Sequence, residues 1–175
     1  MTAHDRNGAA GCGGRLVICY GNPLCGDDGV GWHIGRCLEE KKLPAHILIV
    51  VCHQLTPDLA EPISQAEQVV FVDARLKGRP GEVTCTPLVS EGSPFSPIGH
   101  TMTPPTLLAL SQWLYGKTPA ALLYSVVGTR FKPGDALSPE VERVLPTLLP
   151  LVCRCLTTAV EKKECTLSRL AEGFR

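Results

Sequence analysis

The sequence predicts an α/β protein of a single domain, with a twisted, mostly parallel sheet sandwiched between helices. Short continuous apolar runs, typical of strands buried on both faces, recur along the chain. Segments with helical spacing of apolar residues separate them, and this alternation favours a parallel sheet covered by helices. The length of 175 residues fits one domain of ordinary size.

The apolar runs predict five strands and the intervening segments predict four helices. The strands are expected at 16–20, 46–52, 69–73, 82–87 and 121–127, and the helices at 30–41, 57–66, from 103 onward and 138–158. Thr103 and Ser138 each precede a proline-containing first turn, so they are predicted N-caps. Pro146 and Pro150 are predicted to bend or interrupt the last helix.

The domain is predicted to occupy residues 15–160. The Gly-rich segment 1–14 is predicted to be disordered, and residues 161–175 to form a C-terminal tail. No internal repeat or linker indicates a second domain.

Composition excludes several classes of function. Lysine plus arginine equals aspartate plus glutamate, 17 against 17, so charge gives no case for binding nucleic acid or an anionic membrane. No apolar run approaches the roughly 20 residues that span a bilayer. The apolar run after Arg15 is shorter than the roughly 7–15 residues of an export signal. We therefore expect a cytoplasmic protein, and a monomer that meets its partner transiently.

The glycine-rich loop GNPLCGDDGVG, residues 21–31, is the first candidate site. It follows the first strand, and ligands of parallel sheets bind beyond the carboxyl ends of the strands. Asp27 and Asp28 lie where the next helix begins, so one of them is explained by helix capping, but two are not. The loop lacks a phosphate-binding glycine pattern, and two carboxylates would repel a phosphate.

Asp73 and His100 are the other candidates. Asp73 ends the third strand, although capping or a salt bridge with Arg75 or Lys77 would also explain it. His100 precedes a helix in a loop, where a solvated histidine is the simpler interpretation. Together, Asp28, Asp73 and His100 offer two oxygen donors and one nitrogen donor, which suit nickel, zinc or cobalt. Three protein ligands also leave positions open for water or a partner.

Four segments in this order resemble the hydrogenase maturation proteases, the nickel-dependent endopeptidases of NiFe-hydrogenase assembly. The loop GNPLCGDDGVG is similar to the family's signature after the first strand, and VVFVDA at 69–74 to its second acidic segment. SPIGHTMTPPTLLAL at 96–110 resembles its histidine segment, and VVGTRFKPGDALSPEV at 126–141 its closing segment.

The resemblance implies a function. The family removes a C-terminal extension from the precursor of the hydrogenase large subunit after nickel has been loaded. Its metal-contacting residues correspond to Asp28, Asp73 and His100, and the first is often glutamate in the family. We expect the nickel to be carried by the precursor rather than held permanently. Asp27 is then expected to serve as a helix cap, although it is also a candidate for the general base.

The segment His53-Gln54-Leu55 follows the second strand, where many family members carry an Asp-Gly-Gly-Thr-like stretch. This variant resembles the branch that serves bidirectional, NAD(P)-reducing hydrogenases. These three residues are therefore predicted to bind the substrate.

Two other functions are compatible with the same residues. One is an ordinary metallohydrolase that holds its own zinc at Asp28, Asp73 and His100. The other is a non-enzymatic, nickel-dependent assembly chaperone that escorts the precursor without cutting it.

Overall fold

The computed structural model describes residues 14–90 and 102–158, which form one five-stranded sheet with helices on both faces. The strands are β1 (Gly14–Tyr20), β2 (Ile47–Cys52), β3 (Ala66–Arg75), β4 (Val83–Leu88) and β5 (Ala120–Val127). Their order across the sheet is β2-β1-β3-β5-β4. All neighbours are parallel except β4, which pairs antiparallel with β5 at one edge. The predicted fold class is confirmed.

The helices are α1 (Val30–Glu39), α2 (Ala60–Gln65), α3 (Pro104–Tyr115) and α4 (Pro139–Thr157). Helices α1 and α4 pack against one face of the sheet, where their buried residues join Val17 and Cys19 of β1. Helices α2 and α3 pack against the other face with Leu16 and Ile18. Residues of β1 therefore alternate between two apolar clusters, as expected of a strand buried on both faces.

The predicted N-caps are confirmed. The Thr103 hydroxyl accepts the Thr106 N–H at 3.3 Å, and the Ser138 hydroxyl accepts the Val141 N–H at 3.3 Å. Each satisfies an amide that has no partner within its helix.

Of the two predicted effects of Pro146 and Pro150, a bend or an interruption of the last helix, the interruption is wrong. Helix α4 continues through both prolines. Both are exposed, so the carbonyl groups that lose an amide partner can bind water instead. The predicted helix at 57–66 is also divided, into a 3₁₀ turn at Pro57–Leu59 followed by α2.

Gly31 lets the first turn of α1 lie against the ends of β1 and β3. A Cβ atom there would lie 2.5 Å from the carbonyl oxygen of Val72 and closer still to that of Tyr20. Only glycine lets the helix begin this close to β1 and β3, and the site residues before and after it depend on that approach.

The predicted disordered segment lies outside the described residues except for Gly14, and the predicted tail lies wholly outside them. Among the described residues, no helix is long and apolar enough to cross a membrane.

Candidate functional site

The order of the strands creates a crevice at the carboxyl ends of β1 and β3. The chain leaves β1 through α1 to reach β2 on one side, then returns through α2 to β3 on the other side. These two helices cover opposite faces of the sheet. Connections that diverge in this way leave a ligand crevice between the two strand ends.

The loop after β1 fixes Asp28 in this crevice. Gly21 has φ 131°, and a Cβ atom there would collide with the Asp28 carbonyl oxygen. The Asn22 N–H donates to Asp28 Oδ2 at 2.8 Å, and the Asn22 side chain in turn accepts the Leu24 N–H at 3.0 Å. The Gly-Asn pair therefore folds the loop back on itself and holds one oxygen of a half-buried carboxylate.

Asp73 enters the crevice from β3. It follows Phe71 by two residues, so its side chain lies on the sheet face that α2 and α3 cover. Its Oδ1 accepts the Ala74 N–H at 2.7 Å, and the Tyr20 hydroxyl also hydrogen-bonds to the carboxylate.

Burial raises the pKa of Asp73 to about 6, and the nearby charge of Asp28 acts in the same direction. The hydrogen bonds from Tyr20 and the Ala74 N–H oppose the rise. Burial also raises the pKa of Tyr20 far above its usual range, with the charge of Asp73 contributing. Near neutral pH, Asp73 is thus mostly ionised and Tyr20 stays protonated as a donor.

The two carboxylates open into one cavity of about 470 Å³. The predicted substrate-binding segment, His53-Gln54-Leu55, lines the same cavity. His53 and Gln54 are exposed, whereas Leu55 is buried in the cluster beneath α2 and α3. The remaining walls include Tyr20, Arg75, Leu76, Met102 and Phe131.

The predicted third donor, His100, lies outside the described residues. It precedes by two positions Met102, which lines the cavity. Within residues 14–90 and 102–158, no group of three or more His, Cys, Asp or Glu side chains is arranged to hold a metal ion.

Asp27 has a different role from the predicted one. It is fully buried, and no side chain among the described residues caps the 3₁₀ turn at Gly26–Gly29 or helix α1. Its Oδ2 accepts the N–H groups of Thr129 at 2.6 Å and Arg130 at 2.9 Å, and its Oδ1 accepts the Ser138 N–H at 2.6 Å. The helix-cap prediction is wrong, because this carboxylate binds the loop after β5 and the start of α4 instead.

These hydrogen bonds decide the charge of Asp27. Burial alone would raise its pKa, but the donors at Ser138, Thr129 and Arg130 outweigh burial and lower the pKa. Gly128 makes the approach possible, since a Cβ atom there would lie 2.5 Å from Asp27 Cβ. Asp27 is thus an ionised structural residue beneath the site.

No protein-family model matches the chain, and no curated protein matches it. The chain does match solved structures. A hydrogenase 2 maturation peptidase from a Thaumarchaeota archaeon is 26% identical with a TM-score of 0.63, covering 82% of this chain and 97% of that one. The fold is that of the hydrogenase maturation peptidases.

Two further structures show the same likeness. The hydrogenase maturating endopeptidase HybD from E. coli is 24% identical with a TM-score of 0.65, covering 82% of this chain and 91% of that one. The NiFe-hydrogenase maturation protease HycI from Thermococcus kodakarensis is 22% identical with a TM-score of 0.68, and the match covers 85% of this chain and 96% of that one. The likeness extends over nearly the whole length of these proteins.

Sequence reasoning missed Tyr20, Arg75 and Phe131 as cavity residues. Tyr20 is the last residue of β1, and the pairing of Cys19 with Val72 places Tyr20 beside Asp73. That neighbour relation could have been found by aligning the two strands. Phe131 could not, because its position depends on the loop that Asp27 holds.

Proposed function

We propose that the protein is an endopeptidase that removes the C-terminal extension from the nickel-loaded precursor of a NiFe-hydrogenase large subunit. The observation that carries the proposal is the pairing of Asp28 and Asp73 in one cavity, in a chain whose fold is that of the maturation peptidases. The histidine segment that resembles the family's leads directly into a cavity residue, Met102.

The nickel enters this account as part of the substrate. We propose that Asp28, Asp73 and His100 contact it and thereby position the nearby peptide bond. An Asp73 that is mostly ionised at neutral pH is suited to meet a divalent cation. Positioning of this kind can lower a barrier by several kcal/mol.

Hydrolysis requires that a water oxygen add to the peptide carbonyl carbon, that the C–N bond break and that the leaving amine take up a proton. Both carboxylates open into the cavity, so we propose that one of them accepts the proton of the attacking water. Asp27 takes no part, because it is fully buried and both of its carboxylate oxygens accept backbone amides.

The precursor is proposed to belong to a bidirectional, NAD(P)-reducing hydrogenase. The His53-Gln54-Leu55 variant, which resembles that branch, supports this finer assignment, and His53 and Gln54 are exposed at the cavity that holds the carboxylates. We propose that they contact a protein substrate that approaches the site from solvent. The chain is proposed to act as a monomer.

The test is incubation of the purified protein with nickel-loaded and with nickel-free precursor. We expect mass spectrometry to show a shortened large subunit and a released C-terminal peptide with the loaded precursor only. An intact loaded precursor would indicate a chaperone instead. Metal analysis of the purified protein distinguishes the proposed peptidase from a zinc hydrolase, because one equivalent of tightly bound zinc would indicate the zinc hydrolase.

A further inference from the structure

Tyr20 lines the cavity and carries a hydroxyl group that the proposed mechanism does not use. It ends β1, and its ring packs with Met102 against the apolar cluster beneath α2 and α3. Leu16 and Ile18 point to the same face, as the alternation of a strand requires.

Strand pairing places Tyr20 next to Asp73. The parallel register pairs Cys19 with Val72, so the following residues of β1 and β3 are neighbours at the strand ends. Both side chains leave the sheet on the face of α2 and α3, and both line the cavity. This juxtaposition brings the hydroxyl within hydrogen-bonding reach of the carboxylate.

Within the part of the chain that the structure describes, Asp73 has few other anchors. Its Oδ1 accepts the N–H of Ala74, the next residue in the chain. No ion pair to a lysine or arginine is found for it among the described residues. Arg75, the nearest cation in the sequence, is directed instead to Glu82 at 3.2 Å and to the Lys77 carbonyl at 2.6 Å. Among the described residues, the Tyr20 hydroxyl is therefore a side-chain donor available to this carboxylate from the neighbouring strand end.

We propose that Tyr20 is a positioning residue that holds the Asp73 carboxylate in the orientation that meets the substrate. The proposal rests on the proposed function. A free carboxylate could rotate about its side-chain bonds, whereas one held by a donor from the neighbouring strand presents its other lone pairs to the cavity. Phenylalanine would fill the same space without supplying this donor.

The test compares Tyr20→Phe with wild type in cleavage of the nickel-loaded precursor. We expect kcat to fall about tenfold or more, as for loss of a hydrogen bond to a charged group, with KM nearly unchanged. Tyr124→Phe is the matched control, because it removes a buried hydroxyl that contacts Cys155 in the other cluster. The control is expected to retain the wild-type kcat.

A second measurement examines the contact itself. Thermal unfolding of Tyr20→Phe, Asp73→Ala and the double variant is expected to show non-additive changes in Tm, because the two groups interact directly. Additive changes would overturn the proposal, as would a Tyr20→Phe enzyme with undiminished kcat beside an active wild type. A wild type that leaves the loaded precursor intact would instead remove the proposed function, which distinguishes the two failures.

Discussion

Three carboxylates meet around one loop, and their surroundings give them different roles. Asp27 is fully buried and receives three backbone N–H groups. Asp28 and Asp73 open into the cavity, and Asp73 is buried enough for its pKa to rise to about 6. The pKa of Asp27 is lowered. The same substitution, Asp to Asn, should therefore have opposite effects on stability at positions 27 and 73.

Asp27→Asn is expected to lower the free energy of unfolding by about 2–4 kcal/mol at neutral pH, since three charge-assisted hydrogen bonds are weakened in a buried site. Because the pKa of Asp27 is lowered in the folded protein, its carboxylate stabilises the fold at pH values above the ordinary pKa of 3.8. This stabilisation is lost as the pH falls through the pKa of the folded state. Denaturant unfolding should thus show a difference from wild type that shrinks in acid. An unchanged midpoint at neutral pH would contradict this role for Asp27.

Asp73→Asn is expected to abolish processing while raising Tm by a few degrees at about pH 7–8. Its pKa is raised from 3.8 to about 6, so the stability linked to the protonated form is complete below 3.8 and lost as pH rises through about 6. The neutral side-chain amide of asparagine avoids that loss of stability. Thermal scans at about pH 4 should show little difference. Asp58→Asn, at an exposed site, is the control; a rise in its Tm equal to that of Asp73→Asn would contradict the account.

At the scale of elements, the position of α1 controls the site. Its first turn lies against the ends of β1 and β3 through Gly31, and the loop before it carries all three of Gly21, Asp27 and Asp28. The loop after β5 and the start of α4 are fastened to the same place through Asp27. Displacement of one helix would therefore disturb two loops of the cavity.

Gly31→Ala is expected to destabilise the protein, although alanine normally favours a helix by about 1 kcal/mol over glycine. The added methyl group would meet the carbonyl oxygens of Tyr20 and Val72, and backbone atoms cannot move aside as a flexible side chain can. Circular dichroism melting should show a clearly lower Tm. Cys37→Ala, exposed on the same helix, is the control, and equal Tm values for the two variants would contradict the interpretation.

The elements could be predicted because periodicity is a local property of the sequence. The strands and the caps Thr103 and Ser138 follow from short patterns. The roles of Asp27 and Tyr20 depend on contacts between distant parts of the chain. The carboxylate of Asp27 meets amides more than 100 residues away, which no local pattern encodes. The continuation of α4 through Pro146 likewise depends on which side of the helix faces water.

At the scale of the molecule, the cavity lies where the sheet order reverses, and its rim is formed by loops from β1, β2, β3 and β5. Exposed Leu76 lies on this rim, and exposed Leu24 lies in the loop after β1. These exposed side chains are candidates for contact with a protein substrate that enters the cavity.

Replacement of both His53 and Gln54 by alanine is expected to raise KM for the precursor several-fold while kcat changes little. These side chains are exposed at the cavity and have no part in the proposed chemistry, so their contacts should contribute to binding alone. Tm should stay at the wild-type value. A loss confined to kcat would contradict a role in substrate binding.

The most direct test of the central claim is the mass of nickel-loaded precursor after incubation with wild type, Asp28→Asn, Asp73→Asn or His100→Ala. The account predicts that wild type releases the C-terminal peptide and that each folded variant leaves the precursor intact. Processing at the wild-type rate by any of the three variants, or an intact precursor with wild type, would contradict it.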